Sequence, residues 1–380
     1  MSEPPPVSLP KPTATSFSAA DYRRRFASAF QPQPWKYWAD LLASAGLGWG
    51  FFGLSLSVPF GSVVYLACSA AAVLALLRAV LFIHELAHLK RHALPGFETA
   101  WLLLVGFPLL VPSIMYDTHG DHHRQASFGT PNDPEYLPLA HSHPLGLVWF
   151  VVQVSLVPVL LVVRWGVVGP LAACLPQLRR WAIQHASSLV INPRYCRALP
   201  TKQQRSRFAA QETTAGLVCW GVGLGCYLGW IPLAWLLQWW LTGAGILVIN
   251  QIRTLAAHGY HNQGHAITTV EQVLDSITLR GCPSEENAGD RFIKKSVLSV
   301  LTAAAAPVGL RYHALHHFLP TVPYHSLGLL HRRLEAELGQ DSPYWQTYRN
   351  GIGSAISALV RHGSAQVTPD QQPENRRAAQ

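Results

Sequence analysis

An all-α integral membrane protein is the fold class the sequence predicts. Two transmembrane helical hairpins supply about four spanning helices, joined by interfacial or re-entrant helices and a cytosolic helical cap that carries grouped histidines. Three observations predict it. Only 13% of the 380 residues are charged, and mean hydropathy is +0.16, whereas soluble domains carry about 25% charged residues. Residues 60–77 and 214–249 contain no Asp, Glu, Lys or Arg at all. Thirteen Trp and twelve Tyr suit a chain with two membrane–water interfaces to anchor.

The elements follow in order. Residues 1–18 and 363–380 are polar or Pro-rich and read as disordered tails around one membrane domain, 19–362. The first apolar block runs from Trp38 to Leu77, with a break at Pro59-Phe60-Gly61. A helix of about 20 residues rises roughly 30 Å, so this block makes two crossings and a tight turn. Arg23, Arg24 and Arg25 before it and Arg78 at its end place both outer ends in the cytosol. Residues 100–116 are shorter, contain Pro108 and Pro112, and suit a re-entrant or interfacial segment. Residues 145–176 must return to their starting side, because the basic stretch 179–207 that follows is cytosolic. A hairpin or a surface-lying pair satisfies this, and Arg164 near the middle favours the pair at the surface. Residues 214–252 form the second hairpin, turning at Trp230-Ile231-Pro232, and the remainder to 362 is a cytosolic cap.

The net charge of +9 sits beside the apolar segments, which points to membrane orientation and anionic lipid and away from nucleic acid. The six cysteines, Cys282 among them, form no CxxC pair and read as free thiols. The N-terminus lacks the pattern of a cleavable signal peptide. An inner or cytoplasmic membrane, with both termini in the cytosol, is the location these features imply.

Chemistry is concentrated in the 18 histidines. His84 and His88 stand at i and i+4, one face of a helix, at the end of the second predicted crossing. His119, His122 and His123 have the spacing HxxHH, and His313, His316 and His317 repeat it nearly two hundred residues later. His258 lies at the cytosolic end of the second hairpin, with His261 and His265 as close competitors. Each cluster follows an even number of crossings, so all face one compartment. Imidazole suits Zn, Cu, Fe and Ni, and eight or nine of them exceed the needs of one ion. Two metals are therefore implied. His92, His141, His143, His185 and His362 read as ordinary interfacial residues.

The three boxes, with THGDHHRQASFGTPNDPEY around His119 and RYHALHHFLPTVPYHSLGLLHRRL around His313, resemble the membrane-bound fatty acid desaturase superfamily over residues 35–340. The resemblance implies a non-haem di-iron centre that uses O2 to attack an unactivated C–H bond of a long acyl chain. By position its ligands are His84, His88, His119, His122, His123, His258, His313, His316 and His317. Glu85, Asp121, Asp133 and Glu135 are candidates to hold the imidazole tautomers. Desaturation is the expected reaction. Hydroxylation, ketolation and oxidative decarboxylation to a terminal alkene use the same frame. No HPGG haem motif and no CxxC iron–sulfur pattern occurs, so electrons come from a separate, ferredoxin-like donor. The basic residues 179–207 suit an acidic partner of that kind.

Two rivals of other classes predict part of this pattern. His84-Glu85-Leu86-Ala87-His88 matches HExxH, in which the Glu of a zinc protease is the general base, but this leaves both HxxHH groups unexplained. A metal transporter would place ionisable groups near mid-membrane, whereas these clusters lie at helix ends.

Overall fold

A computed structural model of the chain describes residues 18–90, 92–280 and 300–367. In chain order the helices that matter are α1 (Ala19–Arg25), α2 (Pro34–Leu56), α3 (Val63–His88), α4 (Phe97–Gly106) and α5 (His119–His122). They continue with α6 (Pro144–Cys174), α7 (Pro176–His185), α8 (Arg205–Tyr227) and α9 (Leu233–Thr254). The cap adds α10 (Thr269–Asp275), α11 (His313–Phe318), α12 (Tyr324–Glu337) and α13 (Gly351–Val367). Four of these, α2, α3, α6 and α9, are long and apolar enough to cross a membrane. The protein is a membrane protein, predominantly helical as expected.

The first hairpin forms where the sequence places it. Pro34 opens α2 in the first turn, where a missing N–H costs nothing. Gly61, at φ 77°, supplies the left-handed turn, and the Ser62 hydroxyl caps α3 by accepting from the Tyr65 amide. The two helices touch closely at Gly48, where an added Cβ would lie 2.5 Å from Leu76 Cγ. Arg78 and Asp40 pair at 2.5 Å on the histidine side of this hairpin. Helix α4 is interior: Trp101 and Val105 are fully buried, and the Trp101 indole donates to the Ala79 carbonyl at 2.8 Å. The backbone widens there, with the Phe107 amide reaching back five residues to Leu102.

Helix α6 departs from expectation. Residues 145–176 form no hairpin but one continuous run of helical turns, including a 3-10 turn at Gln153–Leu156 and a π turn at Arg164–Val168, and packed between α8 and α9. Trp240 on α9 donates to the Ser155 carbonyl, and Gly243 admits Pro158 at 3.2 Å from its would-be Cβ. On the other flank Gly216 of α8 lies against the Trp165 carbonyl. The α8–α9 turn falls at 228–232 as predicted, yet the hairpin is splayed open by α6. Helix α8 itself carries too polar a start (RSRFAAQETT) to count among the four.

Arg164 was expected to mark a lipid-surface segment; it is instead buried and neutralised inside the protein. It donates to Glu212 at 2.8 Å, to the Ser187 hydroxyl and to the Ala186 carbonyl, while Glu212 also holds Arg179 at 2.8 Å. A buried cation deprived of its counter-charge is costly. Glu212→Leu is therefore expected to destabilise the fold by about 3–5 kcal/mol, seen as a lower thermal midpoint in detergent. An unchanged midpoint would mean that Ser187 and Ala186 suffice.

The cap closes over the histidine side. Arg25 and Glu337 pair at 2.5 Å, tying α1 to α12. A two-stranded parallel sheet, β1 (Thr278–Arg280) with β2 (Tyr348–Asn350), fastens the C-terminal helix; this minor strand content was not foreseen. Ser18, assigned to a tail, is the N-cap of α1, and α13 runs to Val367, past the expected boundary at 363. The rest of both expected tails, and Cys282, lie outside the described residues. The other five cysteines are free thiols.

Candidate metal centre

Four short pieces of chain deliver imidazoles to one place. The last turn of α3 brings His84 and His88, α5 and the residue after it bring His119, His122 and His123, and α11 brings His313, His316 and His317. His258 follows the end of α9, where its backbone bridges to Ser276. All nine predicted ligands meet, in two groups. His84, His88, His119, His123 and His316 form the first, and His122, His258, His313 and His317 the second, each with ring nitrogens within 4.8 Å of one another. His261 and His265, the competitors for the ninth place, are in neither group; His261 instead lies against the His362 ring, 4.8 Å between centroids.

The division was not foreseen. Spacing i, i+3, i+4 does not by itself direct all three imidazoles of a box at one point. In α5 the i and i+4 rings, His119 and His123, serve the first group, while His122 serves the second. In α11 the assignment reverses: His313 and His317 serve the second group and His316 the first. Successive helical residues point about 100° apart, so adjacent histidines face different centres. Each HxxHH box thus stitches the two groups together.

The geometry fits two cations. Facing Nε2 atoms stand 3.0 Å apart between His119 and His123, 3.1 Å between His123 and His316, 3.2 Å between His122 and His258, and 3.0 Å between His258 and His313. Ligand nitrogens about 2.1 Å from a shared ion stand at such separations. Nε2 of both His84 and His88 is buried without a hydrogen-bond partner, an arrangement that a metal would satisfy.

Electrostatics hold the donors in their binding form. Burial first, then the neighbouring imidazoles, keep His119, His123, His313, His316 and His317 well below the usual imidazole range, hence neutral. His258 is lowered likewise by burial, His122 and Arg253. His122 is the exception: burial opposes its charge, but the Asp133 carboxylate overcomes this and raises it.

Two of the four proposed carboxylates hold imidazoles. Asp133, fully buried, receives His122 Nδ1 at 3.0 Å and the amides of Gly129 and Glu135 at 2.8 Å. Gly129 has φ 71°, and any Cβ there would strike Asn262, so the loop that shapes this carboxylate cradle needs glycine. Glu135 accepts from His119 Nδ1 at 2.5 Å and from Tyr116 at 2.8 Å, and burial pushes it up to about 7. Asp121 holds no imidazole; it binds Arg124 and the Tyr195 hydroxyl. Glu85 accepts from the Tyr37 hydroxyl and the Tyr324 amide, with His84 Nδ1 only at 3.9 Å. A carboxylate so occupied is not poised as the general base of an HExxH protease. Sequence reasoning missed Ser276, which donates to the Gln272 carbonyl and so leaves its lone pair for His258 Nδ1 at 3.2 Å, and Asp275 behind it at 3.6 Å. No local pattern marks either residue.

An apolar cavity between α3, α6 and α9 ends on the imidazoles. Leu77, Val80, Val157, Ile246 and Leu247 line its body, and His84, His119 and His258 its end. A separate open cleft, lined by Arg23 and Lys90, reaches His88 from the cap side. The basic stretch 179–207 is less available to an acidic partner than expected. Arg179 is taken by Glu212, Arg207 by Glu98 and Asp117, and Arg197 is buried on the carbonyls of Ile114 and Ser187.

Comparison with known proteins adds to this geometry. The fatty acid desaturase family model matches residues 60–348. A ceramide hydroxylase of Caulobacter vibrioides (strain NA1000 / CB15N) is 38% identical over 330 residues, which cover 86% of this chain and 88% of that protein. No solved structure matches.

Proposed function

Because this chain belongs to the fatty acid desaturase family, we propose that it is an O2-dependent lipid hydroxylase acting on a ceramide-class lipid. One iron ion is held at each imidazole group. The observation that supports this most is the conjunction of nine imidazoles in two groups with an apolar cavity ending on them, in a chain similar to a ceramide hydroxylase. Desaturation, the first expectation from the sequence, gives way to its alternative on that likeness.

When bound, two irons supply O2 activation and the oxidising power to open a C–H bond. One oxygen atom enters that bond and the other leaves as water with two protons, while a separate, ferredoxin-like donor supplies two electrons. The chain's own contribution is orientation and exclusion of water. Asp133 and Glu135 accept hydrogen bonds from the Nδ1–H groups of His122 and His119, and the Ser276 hydroxyl accepts from that of His258, so each Nε2 lone pair points inward. The aliphatic walls of the cavity hold an acyl chain dry against the centre. We place the histidine side in the cytosol, since Arg23, Arg24 and Arg25 precede α2 and Lys90 follows α3 on that side. The cleft at Arg23 and Lys90 is the docking face for the donor.

Lipid profiling after expression under 18O2 tests the reaction. A lipid that gains one 18O as a hydroxyl supports hydroxylation. A new double bond without label would restore desaturation, and a terminal alkene would indicate decarboxylation. Unaltered lipids from iron-loaded protein with a competent donor would reject all three.

A further inference from the structure

Arg253 is the feature that the proposed chemistry leaves without a role. It lines the same cavity as His84, His119 and His258, at the end next to the imidazoles. Its Nε donates to Asn250 Oδ1 at 3.1 Å and its Nη2 to Thr254 Oγ1 at 3.3 Å, both neutral groups on its own helix. Among the described residues no carboxylate forms an ion pair with it. Glu135, on the same cavity wall, is engaged by His119 and Tyr116. Among the described residues the two buried arginines differ: Arg164 has Glu212, and Arg197 has two backbone carbonyls with Asp117 at 3.6 Å.

A cation on the wall of a largely aliphatic cavity is costly unless a polar or anionic group comes to meet it. Methylene groups lying against this guanidinium would leave its charge unsolvated. A carbonyl oxygen there would instead accept a charge-assisted hydrogen bond. The cavity is therefore polar beside the imidazoles and aliphatic away from them, the reverse of what mid-chain chemistry needs.

We propose that Arg253, backed by Asn250, binds the carbonyl oxygen at the head of an acyl chain, so that the carbon presented to the imidazoles is one beside that polar group and not one at mid-chain. This rests on the lipid-hydroxylase reading and adds the position of attack. The carbonyl fits an amide, an ester or a free carboxylate equally, and the probes distinguish them.

The test uses iron-loaded wild-type protein, Arg253→Gln and Arg253→Lys, each with N-palmitoyl-sphinganine, a palmitoyl phosphoglyceride, palmitic acid and hexadecane. With the preferred carbonyl lipid, wild type is expected to place oxygen on a carbon adjoining the polar group. Arg253→Gln should raise KM about 10- to 100-fold, the loss of one charge-assisted hydrogen bond, with iron content unchanged. Arg253→Lys should recover part of this, which a merely structural role would not produce. Mid-chain oxygenation by wild type, or an unchanged KM in Arg253→Gln, would overturn the Arg253 assignment while leaving the hydroxylase reading intact. If iron-loaded wild type oxidised no lipid, that reading would fail. Tryptophan quenching would still judge Arg253: weaker binding of the carbonyl lipids to Arg253→Gln supports it, and equal binding of those lipids and hexadecane refutes it.

Discussion

His316→Ala is expected to weaken iron binding at the first imidazole group and to cut product formation by at least about 100-fold, more than the loss of a group behind a ligand. The reason is positional. His316 belongs to the first imidazole group, although its neighbours His313 and His317 belong to the second. Removing it takes the first group from five imidazoles to four and leaves the second untouched. Elemental analysis of purified protein gives the stoichiometry, and mass spectrometry of extracted lipids gives the product. His258→Ala serves as the mirror experiment, weakening the second group with the first intact. Two irons and undiminished product in His316→Ala would remove this residue from the ligand set.

Asp133→Asn should be nearly as severe. Its carboxylate has no solvent exposure and receives His122 Nδ1 on both oxygens at 3.0 Å as well as two backbone amides. An amide of the same shape presents a donor where an acceptor is required, and it withdraws the negative charge that keeps the Nδ1 proton in place. His122 then loses its fixed tautomer, and the chain through Gly129 and Glu135 loosens with it. A fall of about 10- to 100-fold in iron affinity, with activity following, is the expected result. Competition with a calibrated iron chelator measures it. Asp121→Asn is the control, because Asp121 touches Arg124 and Tyr195 and no imidazole. Equal losses in the two variants would mean that the carboxylates act through general charge and not through His122.

Much of this was legible without a structure. Apolar runs of crossing length are local properties of a chain, so the hairpin through α2 and α3 and the turn near Trp230 could be read directly. The nine imidazoles could be read as well, since spacing on a helix is also local. The family resemblance rested on those same boxes, and the family match over residues 60–348 agrees with it.

Partners distant along the chain were another matter. Glu85 and Asp121 stood as near in sequence to the histidines as Asp133 and Glu135 did, yet only the latter two hold imidazoles firmly. Arg164 looked like a residue at a lipid surface until Glu212, on another helix, was found beside it. Composition and periodicity determined which segments are apolar and which faces carry imidazole, because both depend on neighbours within a turn or two. Which imidazole group each histidine joins, which carboxylate steadies it and what fills the space between α8 and α9 depended on contacts between residues tens to hundreds of positions apart. Those contacts arise only when helices pack, and packing is a property of shape that no window along the chain contains.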